Sequence, residues 1–218
     1  MTGTRKPRVC PPPTGGLPPG EVFPGWWLIG RFPEGDPDGV GAWLLHHGGE
    51  AMLLELPPGL TAELVRRDLT GLGLSLKYLT ASHGHEDHWD LAAWYDVRRA
   101  FREARYIRPD RASGPVKLNL GGEPVHLVRA PKHSVNDQVA IFRGVAMTGD
   151  IELGRLASVN DEVSPAVKRR SMAALRDFPA AAGYRVHTVV SAHLNDLRTG
   201  VDWPTLFTPA DGEVPDGP

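Results

Sequence analysis

The sequence has little cysteine, little net charge and no long apolar run, and each shortage narrows the possible functions. The one cysteine, Cys10, cannot form a disulfide within the chain, which fits a reducing cytoplasm and leaves metal binding to histidine and carboxylate side chains. Since 24 Lys and Arg stand against 26 Asp and Glu, we expect no nucleic-acid and no membrane partner. No stretch approaches the ~18 apolar residues of a membrane helix, and we expect no signal peptide, so a cytoplasmic location is predicted.

Proline and glycine are concentrated near the two ends of the chain. Half of residues 1–20 are Pro or Gly, and residues 208–218 mix Pro and Gly with acidic side chains. Such segments bury too little apolar surface to offset the entropy of ordering them. We therefore predict a flexible arm over residues 1–20, one folded domain over residues 21–207 and a flexible tail over residues 208–218. This length suits a single α/β domain.

Between these ends, strand and helix patterns interleave. The helix candidates begin after Thr61, at Leu91 and after Ser164, where Thr and Ser are typical capping residues. The strand candidates are Val22–Ile29, Val40–Leu45, Ala51–Leu56, Leu76–Ala81, Tyr106–Ile107, Val125–Val128, Val139–Phe142, Val145–Met147 and, last, Val186–Val190. Because the strands come in groups with helices between them, we predict an α/β fold in which two sheets pack together with helices outside.

Three histidines and an aspartate crowd into the six residues from His83 to His88, directly after a predicted strand. His83 and His85 are two residues apart, so an extended segment presents both imidazoles on one side, where they can bind one metal ion. Asp87 and His88 then turn into a helix and can reach a second ion. Imidazole and carboxylate ligands suit metals of the zinc type. The alternative interpretation is a solvated polar loop.

Six residues do not complete two coordination shells, so this pattern predicts further ligands downstream. Three candidates each stand just past an apolar run, where a rigid scaffold positions loop side chains. They are His133 after Val125–Val128, Asp150 after Val145–Met147, and His193 after Val186–Val190. Each alone is more often an ordinary loop residue, but together and in this order they support one another.

With these residues the sequence resembles the metallo-β-lactamase superfamily, over roughly residues 20 to 200, in a glyoxalase II-like branch without the helical domain. The matching motifs are His83-x-His85-x-Asp87-His88, then His133, then Gly149-Asp150 and finally His193. The resemblance implies an αβ/βα sandwich of two mixed sheets with external helices and a site at one sheet edge. It assigns one metal to His83, His85 and His133, and the other to Asp87, His88 and His193, with Asp150 as the bridge.

The sequence departs from the superfamily pattern beside the ligands. Lys132 precedes His133 where the superfamily commonly has Gly, and Glu55-Leu56-Pro57 replaces an early Asp-x-Gly. We predict substrate contacts from Trp89, which directly follows the first motif, and from Lys132 and Asn195, which neighbour ligands. Ordinary core or surface roles are the alternative for all three.

These features predict a metal-dependent hydrolase whose small-molecule substrate is a thioester, a lactone or another activated carbonyl compound. A hydroxide bound by two divalent ions would attack the carbonyl carbon. Asp87 would orient the hydroxide and pass a proton to the leaving group. Zn2+ is the expected metal, and Fe2+ or Mn2+ would suit the same ligands. The sequence makes no prediction of the oligomeric state.

The resemblance also includes a second enzyme class. Persulfide dioxygenases of the same fold hold one non-haem iron with two histidines and an aspartate, which His83, His133 and Asp150 could supply. A flavin-dependent electron carrier would normally have a flavodoxin-like domain attached, and a non-catalytic binding protein would not need every ligand position filled. Iron content and oxygen uptake with a persulfide distinguish the dioxygenase from the hydrolase.

Overall fold

The computed structural model describes residues 17–109, 114–156, 158 and 162–207. In this part of the chain two six-stranded sheets pack together, and each contains both parallel and antiparallel neighbours. The predicted tail and residues 1–16 of the predicted arm lie outside the described residues, and the first strand begins within the arm, at Gly20. None of the described helices is long and apolar enough to cross a membrane.

The first sheet is formed by the N-terminal half of the chain in sequence order. Its strands are β1 (Gly20–Phe23), β2 (Trp26–Phe32), β3 (Val40–His47), β4 (Glu50–Leu54), β5 (Ser75–Thr80) and β6 (Arg105–Tyr106). Strands β4, β5 and β6 are parallel, so each connection between neighbouring strands must cross over one face of the sheet. Helices α1 (Ala62–Leu72) and α2 (Leu91–Ala100) make these two crossings.

The second sheet is formed by the C-terminal half. Its strands are β7 (Val116–Leu120), β8 (Glu123–Arg129), β9 (Gln138–Phe142), β10 (Val145–Met147), β11 (Thr188–Val190) and β12 (Leu197–Thr199). Strands β10 and β11 are parallel, and helix α3 (Pro165–Ala181) lies between them in the chain. A 3-10 helix, Trp203–Phe207, follows the last strand.

Three apolar clusters arrange these elements in four layers. Trp43 and Phe142 belong to a cluster between the two sheets, and the Leu44 side chain, on the other face of β3, belongs to a cluster with α1 and α2. The third cluster joins the outer face of the second sheet to α3 through Leu175. Successive residues of a strand point to opposite faces, which is why β3 contributes to two clusters. The predicted sandwich of two mixed sheets with external helices is confirmed.

The structure corrects two parts of the strand prediction. The predicted strand Val22–Ile29 is two antiparallel strands, β1 and β2, because Gly25 turns the chain with a φ of 81°. The predicted last strand, Val186–Val190, is shorter at Thr188–Val190 and is followed by β12. Strands β7 and β12 lie at sheet edges and carry polar side chains, so they lack the apolar runs that predicted the others.

Candidate metal centre

The seven predicted ligands come together at one edge of the sandwich, and each follows the end of a strand. The segment from His83 to His88 follows β5, His133 follows β8, Asp150 follows β10 and His193 follows β11. The two sheets are joined at this edge by Gln138, whose amide nitrogen donates hydrogen bonds to the Thr80 hydroxyl at 2.8 Å and to the Ala81 carbonyl at 2.7 Å. The ligand loops are thus held by rigid elements of both sheets.

The first group consists of His83, His85 and His133. Nδ1 of His85 lies 3.0 Å from Nε2 of His83 and 3.2 Å from Nε2 of His133. Three ring nitrogens so close together could hold one metal ion.

The second group consists of Asp87, His88, Asp150 and His193. Nε2 of His88 and Nε2 of His193 lie 3.3 and 3.4 Å from Oδ1 of Asp150. Oδ2 of Asp87 lies 3.5 Å from Nε2 of His88 and 3.6 Å from Nε2 of His193. The four ligand atoms therefore also surround one point.

Asp150 faces both groups with different oxygens. Oδ1 lies against His88 and His193, whereas Oδ2 lies 3.6 Å from Nε2 of His133 and 4.0 Å from Nε2 of His83. This is the position that a bridging carboxylate needs.

Two buried atoms at the centre lack hydrogen bonds. Nε2 of His88 and Oδ1 of Asp150 have no hydrogen-bond partner among the described residues. A buried polar atom without a partner is costly, and a metal ion would satisfy both atoms at once. Imidazole nitrogens and carboxylate oxygens are ligands for zinc, iron and manganese. The residues present therefore fit divalent metal ions.

The protonation of the histidines differs across the centre. Burial, reinforced by His88, lowers the pKa of His83 to about 2, so this ring is neutral, the form that binds metal. Burial also disfavours a charged His88, but Asp150 and Glu55 outweigh it and raise the pKa of His88 to about 10. For Asp150 burial is outweighed in turn by His193 and His88, which hold the pKa of its carboxyl well below the usual range.

Solved structures of known proteins share this arrangement of sheets and helices. A metallo-β-lactamase from Pontibacter korlensis matches with a TM-score of 0.63 and 14% identity, over 85% of this chain and 93% of that one. A β-lactamase domain protein from Burkholderia ambifaria matches with a TM-score of 0.60 and 18% identity, over 91% and 78%. ETHE1 from Myxococcus xanthus matches with a TM-score of 0.54 and 17% identity, over 72% of each chain.

The chain has the metallo-β-lactamase fold. A sequence relative is known too, a hydroxyacylglutathione hydrolase from Acidiphilium cryptum (strain JF-5), which is 34% identical over 113 residues. The match covers 48% of this chain and 45% of the relative, so the chain spans less than half the length of this curated relative. No model of a protein family matches the sequence.

Within this fold, the second nitrogen of four ligand histidines also has a neighbour. The contacts are Ser82 Oγ at 3.0 Å from His83 Nδ1, Glu162 Oε1 at 3.4 Å from His85 Nε2, Glu55 Oε2 at 3.4 Å from His88 Nδ1, and the Asp38 carbonyl oxygen at 2.5 Å from His193 Nδ1. Such contacts fix which nitrogen faces a metal and how the ring is oriented.

Glu55 and Asp137 support the centre, and sequence reasoning did not identify either as a site residue. Oε1 of Glu55 accepts a hydrogen bond from the Ser82 backbone N–H at 3.1 Å. Oδ2 of Asp137 accepts three backbone N–H groups, from Lys132, His133 and Ser134, at 2.9, 2.6 and 2.9 Å. The sequence carried a signal for Glu55, because an acidic residue is unusual inside an apolar run such as residues 51–56.

The three predicted substrate contacts lie in different places. Asn195 lines a cleft of about 200 Å³ together with Asp150 and His193. Trp89 lines a larger hollow of about 550 Å³ next to the first motif. The Lys132 side chain is completely buried and lines neither of them, so this structure does not place it where a substrate would bind.

Proposed function

We propose that this protein is a metal-dependent hydrolase that uses two divalent ions, with zinc as the expected metal, on a thioester, lactone or other activated carbonyl substrate. The observation that carries the proposal is the convergence of seven nitrogen and carboxylate ligands in two groups that share Asp150 at their boundary. A cytoplasmic location, predicted from the sequence, belongs to the same proposal. The name of the sequence relative, a hydroxyacylglutathione hydrolase, supports a hydrolytic reaction on an acyl compound.

Each of the two ligand groups would hold one ion. His83, His85 and His133 would hold one ion, and Asp87, His88 and His193 the other, with an oxygen of Asp150 on each. When bound, the ions supply a Lewis acid for the substrate carbonyl and a nucleophilic water whose pKa is lowered toward neutrality. His83 is neutral and ready to bind, whereas His88 must give up a proton first.

Asp87 is the candidate for the proton-transfer role. About half of its side chain is exposed, at 51%, whereas His88 next to it is completely buried. One carboxylate oxygen lies against His88 and His193, and the exposure leaves the group accessible from solvent. Asp87 can therefore orient the attacking water and hold its proton until the leaving group takes it.

The proposal is tested by metal analysis together with a hydrolysis assay. We expect about two equivalents of zinc in the protein loaded with zinc and turnover of thioesters or lactones that is lost after chelation and restored by zinc. His133→Ala and Asp150→Ala should lose metal and turnover together. Exposed Asp177, on α3 and away from the centre, offers a matched control as Asp177→Ala. Full turnover in metal-free protein would contradict the proposal.

The iron dioxygenase remains a second candidate because of one contact set. Oδ2 of Asp150 faces Nε2 of His83 and Nε2 of His133, which is a set of two histidines and one carboxylate. The second group of ligands is complete, however, and a single iron would leave it unused. Iron near one equivalent and oxygen uptake with glutathione persulfide would favour the dioxygenase over the hydrolase.

A further inference from the structure

The exposed large apolar side chains in the described part of the chain are associated with one hollow beside the metal centre. Leu91, Tyr95 and Val135 are 65%, 68% and 54% exposed. Leu91 lines the hollow, and Tyr95 lies one turn later on the same face of α2. Val135 directly precedes Asn136, which also lines the hollow. Exposed apolar side chains gathered at one place mark a binding surface, whereas scattered ones do not.

This hollow, here named the Trp89 hollow, has a volume of about 550 Å³. The residues that matter for its chemistry are Gly84, Glu86, Trp89, Leu91, Arg108 and Asn136. Gly84 lies between His83 and His85, and Glu86 follows His85, so the hollow begins at the loop that carries the first metal ligands. The hollow therefore lies beside the loop of the first metal ligands, where a second part of a substrate can bind.

The wall of the Trp89 hollow is held in place by contacts within the protein. The Trp89 backbone pairs with Leu56 as an isolated parallel bridge, and its ring packs on Trp94 and Tyr106 at centroid distances of 5.2 and 4.7 Å. A Cβ atom at Gly84 would lie 2.9 Å from the Asn136 amide nitrogen, so the Asn136 side chain packs closely against the backbone of the ligand loop. A wall formed in advance lowers the entropic cost of binding.

The charges around the hollow disfavour an anionic ligand. Glu86 is exposed at its edge, and the Asp90 carboxylate, which caps α2 by accepting the Ala93 N–H at 2.8 Å, also lines it. The one cation of the lining, Arg108, already has an interaction within the protein. A ligand with its own carboxylates would be repelled by the two acidic groups. A neutral, apolar group fits the part of the lining that Trp89, Leu91 and Pro109 form.

We infer that the Trp89 hollow binds an apolar acyl chain of the substrate, so that medium-length aliphatic acyl thioesters or lactones are preferred over short acyl compounds. This inference rests on the proposed hydrolase function for its catalytic test, although binding can be measured without turnover. Leu91, which lines the hollow, and Tyr95, one turn later on the same exposed face of α2, are the specificity-determining residues. Each methylene placed against them leaves water and adds to binding in the transition state.

The catalytic test uses thioesters of N-acetylcysteamine with acetyl, butyryl, hexanoyl and octanoyl chains and the zinc-loaded protein. We expect kcat/KM to rise about tenfold or more from acetyl to hexanoyl. The double variant Leu91→Ser/Tyr95→Ser should lose most of this rise, so that its kcat/KM for the hexanoyl compound falls toward its value for the acetyl compound. Leu64→Ser on α1, beside a different hollow that includes Ile29 and Arg67, is the control and should keep the full rise.

The binding test separates this inference from the proposed function. Non-hydrolysable S-alkyl thioethers of N-acetylcysteamine are titrated calorimetrically, and affinity should increase with alkyl length in the wild type and in Leu64→Ser but not in the double variant. If no thioester is turned over but this pattern holds, the hydrolase proposal fails and the acyl site stands. Equal affinity for all lengths, or the same slope in the double variant, overturns the acyl site. A wild-type dimer that the double variant converts to a monomer overturns it too, since the apolar surface would then be a subunit interface.

Discussion

Oε2 of Glu55 lies 3.4 Å from Nδ1 of His88, and neither side chain exposes any surface. The contact is short enough for an ion pair but is not aligned as a hydrogen bond, which leaves this oxygen without a hydrogen-bond partner among the described residues. Glu55 also has a φ of 73°, a conformation that is costly for a residue with a side chain. A buried acid in a strained backbone, against a ligand histidine, indicates a positioning role for Glu55.

Replacement of Glu55 by Gln tests this positioning role. The amide keeps the size of the side chain and an acceptor for Ser82, but it loses the carboxylate that faces His88. We expect Glu55→Gln to weaken binding of one of the two zinc ions by about 10–100-fold, measured by competition with a chelator.

Glu162→Gln is the matched control for that experiment. Glu162 stands in the same relation to His85, at 3.4 Å, but its side chain is 45% exposed. Exposed ion pairs contribute little, so we expect less than about a threefold change in zinc affinity. Equal losses of zinc affinity in both variants would show that burial of the Glu55 carboxyl does not strengthen its effect on zinc binding.

Zinc binding should release protons from the second ligand group. Below pH 10 His88 carries a proton because its pKa is raised to about 10, and the contact with Asp150 also raises the pKa of His193. Both must be neutral to bind, so zinc affinity rises with pH across the neutral range. His83, with a pKa of about 2, is already neutral and releases no proton. Calorimetric titrations in two buffers of different ionisation enthalpy should give about one to two protons released; heats that do not depend on the buffer would disprove this.

Asp137 should be essential for the loop that carries His133. Asp137→Ala leaves three buried backbone N–H groups without an acceptor, which we expect to cost about 3 kcal/mol or more of unfolding free energy in urea. Asp137→Asn keeps an oxygen for these donors and can hydrogen-bond Ser134 with its amide, so it should recover more than half of the loss. If the Asn variant is as unstable as the Ala variant, the three hydrogen bonds are not the cause.

Gly121 should be irreplaceable where the β3–β4 and β7–β8 turns meet. Its φ is 59°, and a Cβ atom would collide with the His47 carbonyl oxygen. We expect Gly121→Ala to cost about 2–4 kcal/mol of unfolding free energy. The neighbouring Gly122 has a φ of 98° but open space around it, so Gly122→Ala should cost only about 1–2 kcal/mol. Similar costs at both positions would mean that strain alone, without the collision, decides stability.

Much of the site was predictable because its ligands follow a simple rule of position. The first motif is contiguous, and His133, Asp150 and His193 each follow an apolar strand whose end lies at the same edge. The sequence carried a signal for Glu55 but could not reveal its role, because that role depends on β4 lying beside β5 in space. A position next to a ligand in the sequence did not ensure an exposed side chain either, because Lys132, next to His133, is completely buried.

The fold was predictable to the extent that apolar periodicity marks its elements. Central strands such as β9 and β10 are buried on both faces and have continuous apolar runs. Edge strands are half exposed and polar, and β7 with Lys117 and Asn119 escaped detection for that reason. The turn at Pro24-Gly25 carried a clear signal, but the aromatic residues around it suggested one continuous strand.

Anomalous difference density from crystals of the zinc-loaded protein tests the central claim most directly. Two zinc peaks about 3.5–4 Å apart, one among His83, His85 and His133 and the other among Asp87, His88 and His193, with Asp150 between them, are the predicted result. No zinc peak at this edge of the sandwich, or zinc bound only by residues elsewhere, would contradict the account.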